Sequence, residues 1–265
     1  MFRINYILKK PDNIIPWGDK SKHLHWFGLT DGLLWIDAGD SVIYEYSEPH
    51  PDSLGETVKY NDYQLSRFIE DILELTAVIS ESVPESLFDV AETLSDDLQT
   101  WKSMYIDKSD EEFDRFYDEC YLPLSEWFYD RFLSSGHLVC GPSIGFIRFR
   151  DRLKVIWDSD PLENGTEMWR YPHGSCEMDY QSFVAEVSGF ISSFTTDMDK
   201  QVEYVVRNGI PGVNVDTDAL VRENAQRKDT FVHQLRSLNS EGDQATDWNK
   251  IHKLYDLMCN ELGRV

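Results

Sequence analysis

Along the first ~50 residues apolar and polar positions alternate in short runs. Beyond them the apolar positions recur every three or four residues, so the chain reads as sheet first and helix afterwards. Phe2 to Leu8 predicts a short strand, and Lys9-Lys10-Pro11-Asp12-Asn13 a turn. His23 to Tyr46 then predicts strands punctuated by Thr30-Asp31-Gly32 and Ala38-Gly39-Asp40, an antiparallel meander that Pro49 and Pro51 are expected to end. This places Trp26 and Trp35 on strands, where large aromatics fill the core or pair across strands.

Three amphipathic stripes follow. Leu65, Phe68, Ile69, Ile72 and Leu73 form the first; Leu87, Val90, Ala91, Leu94, Leu98 and Trp101 the second; Phe113, Phe116, Tyr117, Cys120, Leu124, Trp127 and Phe128 the third. Ser109 and Glu112 are spaced as a capping box for the third helix, and Pro123 inside it predicts a kink or split. Gly145 to Trp157 then reads as a hairpin, with a bulge expected near Asp151-Arg152, and Met168 to Tyr171 as a further strand. A long helix is expected from Asp179, with Phe183, Val187, Ile191, Phe194 and Met198 inward, and Asn208-Gly209-Ile210-Pro211-Gly212 terminates it. Two more helices close the chain, the last marked by Trp248, Ile251, Tyr255, Met258 and Leu262. With no internal repeat and no long linker, the expectation is one α+β domain over residues 1–265. In it an N-terminal antiparallel meander and a central hairpin pack with about six helices, including an acidic helical segment at 62–135.

Charge changes this picture most. Residues 31–130 contain 26 Asp and Glu against 5 Lys and Arg, nearly all of the net charge of −23. Carboxylates are seldom buried unpaired, so the excess must lie on the surface and create a negative field. Glu70, Glu74 and Glu81, then Glu85, Asp89, Glu92 and Asp96, then Glu111, Asp114 and Asp118 fall on the wet sides of the three stripes. Such a field repels polyanions, which disfavours nucleic acid as a partner. The concentrated basic run is Arg148, Arg150, Arg152 and Lys154 on the predicted hairpin. At 41% hydrophobic and 13% aromatic the chain has the makings of a large core. No signal-peptide pattern and no stretch of the ~20 apolar residues that a membrane span needs is present, so a cytoplasmic location is expected. Cys120, Cys140, Cys176 and Cys259 have neither knuckle nor framework spacing and are expected as reduced thiols, with no cofactor or metal.

Candidate chemistry is sparse. Gly141-Pro142-Ser143-Ile144-Gly145 matches the nucleophile elbow of serine hydrolases, but a strand follows it where an elbow needs a helix, so a turn into the hairpin is the simpler reading. His137 with Cys140 and His173 with Cys176 have close-pair spacing without the glycine-flanked Cys-x-x-Cys knuckle of zinc sites. As a nucleophile Cys176 is disfavoured by the neighbouring Glu177 and Asp179. Asp-x-Asp occurs at Asp158/Asp160, Asp197/Asp199 and Asp216/Asp218; Asp216 is placed to cap a helix, and Asp158/Asp160 sits in a turn after a strand. Trp17, in a loop bounded by Pro16 and Gly18, is placed to line a ligand groove.

Pro11-x-x-Ile14-x-Pro16-Trp17-Gly18, Trp26-Phe27-Gly28-Leu29-Thr30-Asp31-Gly32 with Trp35-Ile36, and Thr246-Asp247-Trp248 resemble the signature of an uncharacterised bacterial family, a domain of unknown function spanning most of the chain. The resemblance implies a cytosolic bacterial protein and supplies no catalytic residues. Families of this kind include immunity proteins of secreted toxin systems. The charge and the resemblance together lead to an expected role as an acidic immunity-type binding protein. It would neutralise a basic protein partner, such as a toxin acting on nucleic acid, through Glu70, Glu74, Asp89, Glu92, Asp96, Glu111, Asp114 and Asp118. The alternative is a small-molecule enzyme or sensor with an aromatic pocket near Trp17, Trp26 and Asp158.

Overall fold

The computed structural model describes residues 1–264 apart from Lys20, Ser53 and residues 240–245. The N-terminal sheet contains β1 (Phe2–Leu8), β2 (Asp31–Ala38), β3 (Ser41–Ile43), β4 (Glu45–Pro51) and β5 (Thr57–Gln64). All pairings are antiparallel, in the order β1-β2-β5-β4 with β3 beside β2. The prolines do not end it. Pro49 and Pro51 lie within β4, an edge strand, where a missing N–H costs no ladder bond, and the β4/β5 register shifts between Glu45 and His50.

The acidic stripes fold as α1 (Leu65–Glu74), α2 (Thr76–Ser80), α3 (Glu85–Asp89), α4 (Leu94–Ser103), α5 (Asp110–Phe116) and α6 (Leu122–Tyr129). A π-helical turn at Tyr117–Tyr121 separates the last two, just ahead of Pro123, and the Ser109/Glu112 capping box is formed at the start of α5. The second sheet is β6 (Phe132–Leu133), β7 (Ser143–Phe149), β8 (Arg152–Asp158) and β9 (His173–Asp179), paired in chain order. The β7/β8 register runs unbroken from Ser143 opposite Asp158 to Phe149 opposite Arg152, so the expected bulge is absent. Arg150 takes up the turn with φ 55°, the left-handed conformation that two-residue hairpins require. The segment at Met168 to Tyr171 joins neither sheet as a strand; Trp169 makes a single bridge to Tyr46.

The chain closes with α7 (Tyr180–Asn208), α8 (Thr217–Leu235) and α9 (Trp248–Glu261). Asp179, Asp216 and Asp247 cap them, each accepting from a backbone N–H three residues on. Trp26 is not on a strand. It sits in the loop before β2, 1% exposed, beside Phe194 of α7 and Phe231 of α8, and its indole donates to Asn224 at 2.9 Å.

Alternation along the second sheet decides the architecture, because successive side chains point to opposite faces. Ile144, Phe146, Leu153, Val155 and Trp157 enter a core shared with the N-terminal sheet, α1, α7 and α8. Ile147, Phe149 and Ile156 enter a second core with α3, α4, α6 and α9. Helices α3 to α6, with α9, therefore form an acidic lobe on one face of the second sheet. Residues 81–130, which span it, hold 15 Asp and Glu against 3 Lys and Arg.

The basic run on the hairpin is engaged within the fold, on both faces of the sheet. Arg148 donates to the carbonyl of Ser80 and stacks on Tyr180, Lys154 reaches the carbonyl of Phe88 at 3.1 Å, and Arg152 grips Glu177 with two bonds of 2.6 and 2.8 Å. Deeper in, Arg131 and Glu81 form a buried ion pair, to which Thr246 adds a hydroxyl bond of 2.9 Å.

Candidate functional site

The end of the second sheet is left open on the lobe side. Ser143 faces Asp158, and Asp158 faces His173, so β7, β8 and β9 hold these three side chains in one row. The row shares its face with Ile156, two residues before Asp158, and so looks toward the lobe. The helical layer stops short of it, leaving a cleft of about 520 Å³.

Glu92, in the turn before α4, and Asp96, in its first turn, come to this cleft, together with Asp158 at the end of β8 and Asp160 two residues beyond it. Tyr129 and Phe132 supply aromatic lining, and Ser95, Ser143, Ser159 and Ser175 supply hydroxyls. No Lys or Arg is among the lining residues. Lys154, 3.2 Å from Glu92, is buried beneath and spans Glu92 and the Phe88 carbonyl. Four carboxylates among aromatic rings suit a cation, which gains from both Coulomb attraction and the ring faces.

The glycines of the Gly-x-Ser-x-Gly motif have packing duties. A Cβ on Gly141 would lie 2.1 Å from the carbonyl oxygen of Ser135, and one on Gly145 would lie 2.5 Å from the ring of Phe132. Gly145 thus lets Phe132 settle onto β7. Ser143 stands two strands from His173, roughly 10 Å at ordinary strand spacing, with Asp158 between them. A serine hydrolase needs its histidine between serine and acid, so this order does not make a triad.

The other candidates separate. His173 and Cys176 project from opposite faces of β9, as residues three apart in a strand must, which breaks that His-x-x-Cys pair. The ring of His137 packs on Tyr63 at 4.7 Å. Asp197 accepts from Tyr6 and Lys200, and Asp199 from Asn224 and Lys228. Among the described residues, no group of three or more His, Cys, Asp or Glu is placed to hold a metal, and no helix is long and apolar enough to cross a membrane.

The eight acidic residues expected to bind the partner divide between helices that cover different cores. Glu70 and Glu74 lie on α1, which packs on the first core, and Glu70 is bound by Arg227 of α8. Asp89, Glu92, Asp96, Glu111, Asp114 and Asp118 lie on the lobe, all exposed, with only Glu92 and Asp96 in the cleft. Helical spacing shows which residues share a helix face but not which core the helix covers. The aromatic pocket expected near Trp17, Trp26 and Asp158 does not form either. Trp17 packs edge-on against His25 at 4.4 Å, Trp26 is buried, and Asp158 lies in the cleft without them. The sequence reading missed Tyr129, Phe132 and Ser175, which carry no local signal and reach the cleft only through sheet pairing.

The signature residues serve the fold. Thr30 donates to the Phe27 carbonyl at 2.7 Å and meets the Ser66 hydroxyl, Asp31 pairs with Lys9, Trp35 stacks on Tyr60, and Trp248 packs on Trp127. No curated protein and no solved structure matches the chain. The sequence model of a family of unknown function (DUF5984) matches residues 3–254, and the chain belongs to that family.

Proposed function

We propose that the chain is an immunity-type binding protein whose acidic lobe docks a basic protein partner and whose cleft takes one of that partner's cationic side chains. A toxin that acts on nucleic acid has to present a cationic surface to phosphate, and an acidic lobe is the complement of such a surface. The observation that carries the reading is the set of Glu92, Asp96, Asp158 and Asp160 around one aromatic-lined cleft with no Lys or Arg in its lining. Carboxylates confined in this way favour a guanidinium, which also stacks on aromatic faces.

The same cleft is the place for the small-molecule alternative, since its volume falls in the range of ligand sites. The test compares a short arginine peptide with its citrulline counterpart, nearly the same shape without the charge. Titration calorimetry should show the arginine peptide binding the wild type, and neither the citrulline peptide nor the E92Q/D96N/D158N/D160N variant binding detectably. Equal binding of the arginine peptide to wild type and variant removes the cleft from the account.

A further inference from the structure

At the other end of α4 the lobe leaves apolar side chains uncovered. Met104 and Leu257 are 45% and 37% exposed and line one groove of about 520 Å³, and Ile106, two residues after Met104, is 64% exposed. The floor of this groove is packed and hydrogen-bonded. The rings of Tyr105 and Phe116 stack at 3.7 Å, and the Tyr105 hydroxyl and Trp101 indole both donate to Glu261, at 2.9 and 2.7 Å. Burial, and then that carboxylate, push Tyr105 up to about 12, so its hydroxyl stays protonated. Burial and Glu119 raise the Cys120 thiol as well, so it lines the groove as a neutral, weakly polar group.

Lys108, Glu112, Arg115 and Glu119 line the groove, and the stretch that contributes them, residues 107–119, holds seven acids, all exposed, against the two cations Lys108 and Arg115. An apolar centre inside a charged rim is the anatomy of a protein interface. The rim's negative sign fixes the chemistry of what covers it.

We infer that this groove docks a basic segment of the partner that carries apolar side chains along one face, its apolar residues covering Met104 and Leu257 and its cations meeting the acidic rim. The inference rests on the binding function proposed above and adds a second, apolar anchor to it. α4 has ten residues and spans about 15 Å, so the cleft near its start and the groove at its end are separated by no more than a standard-sized interface can bridge.

Two synthetic 18-residue peptides of equal charge test it by fluorescence anisotropy on the full chain. One has leucines at helical spacing on one face and lysines elsewhere; the other replaces each leucine with glutamine. The leucine peptide should bind the wild type about tenfold or more tighter than the glutamine peptide, as burial of several apolar side chains requires. The Met104→Ser/Leu257→Ser variant, changed at exposed positions and checked for an unchanged melting curve, should lose that advantage and keep the weak binding of the glutamine peptide. If both peptides bind the wild type equally, or the variant keeps the preference for leucine, the groove is not an anchor and the electrostatic reading stands without it. If neither peptide binds even at low salt, the acidic-lobe function itself fails.

Discussion

The two faces of the second sheet treat charge differently. On the side of the first core, acids are matched to cations: Glu70 and Glu223 to Arg227, Glu45 to Lys59 and Arg170, Asp71 to Arg67, Asp197 to Lys200, Asp199 to Lys228, and Asp31 and Asp62 to Lys9. On the lobe side, the matched acids are those that hold the lobe in place: Glu81 with Arg131, Glu92 with Lys154, and Asp97 with Arg264. The ion pairs are thus more numerous on the first side, while the lobe carries the denser acid excess, with 15 Asp and Glu against 3 Lys and Arg in residues 81–130. A concentrated excess of one sign creates a local field beyond what solubility needs.

The strongest way to break the contrast is to attack what joins the halves. Glu81→Ala leaves the buried Arg131 guanidinium without its counter-ion and should cost about 3–5 kcal/mol in urea unfolding. Phe128→Ala in the lobe core and Phe183→Ala in the first core should each cost a similar ~3–5 kcal/mol. Because β7 and β8 contribute to both cores, each variant should lower one common transition. Two separate transitions would mean that the lobe folds independently of the sheet beneath it.

Acidity sharpens the comparison at intermediate size. Burial raises the carboxyls of Asp31 and Asp71 on the first side, and of Asp97 in the lobe, above the usual range, despite the cations beside them. Each therefore binds protons more readily folded than unfolded, and stability is gained as pH falls through the raised values. Exposed Glu112 and Glu177 are lowered by hydrogen bonds from Ser109 and Arg152 and work in the opposite sense, but solvent screens them. His137, lowered by burial, opposes them near neutrality, so the melting temperature should rise only once the pH falls below the histidine range toward that of the raised carboxyls; a steady fall through that lower range would show that the lowered groups dominate. The smallest effect belongs to Ser143→Ala, which removes a hydroxyl outside any triad and should change unfolding free energy by less than about 1 kcal/mol.

Much of this was legible where the signal is local. The caps at Asp179, Asp216 and Ser109 depend on one side chain and the next turn, and the helical stripes and the β7/β8 hairpin follow from periodicity. Trp26 was misread because an apolar run fits a strand or a buried loop equally well, and α7 and α8 decide between them. The prolines of β4 misled because only the finished sheet shows which strand is its edge. The cleft was half visible: Glu92, Asp96 and Asp158/Asp160 stood out as charges, yet their convergence depends on β8 ending beside the start of α4. No spacing rule reaches across more than sixty residues of chain.

The central claim is that the lobe's local field, and not the net charge, recruits a basic partner. It is tested most directly by stopped-flow association of a fluorescent 20-residue arginine–serine peptide with two quadruple variants of equal net charge. One carries Glu92, Asp96, Asp114 and Asp118 changed to Lys; the other carries Glu48, Glu56, Asp218 and Asp229, exposed residues outside the lobe, changed to Lys. The account predicts that the lobe variant loses most of the association rate and of its salt dependence, while the other stays close to wild type. Equal losses in both variants would contradict it and reduce the lobe to a solvated surface.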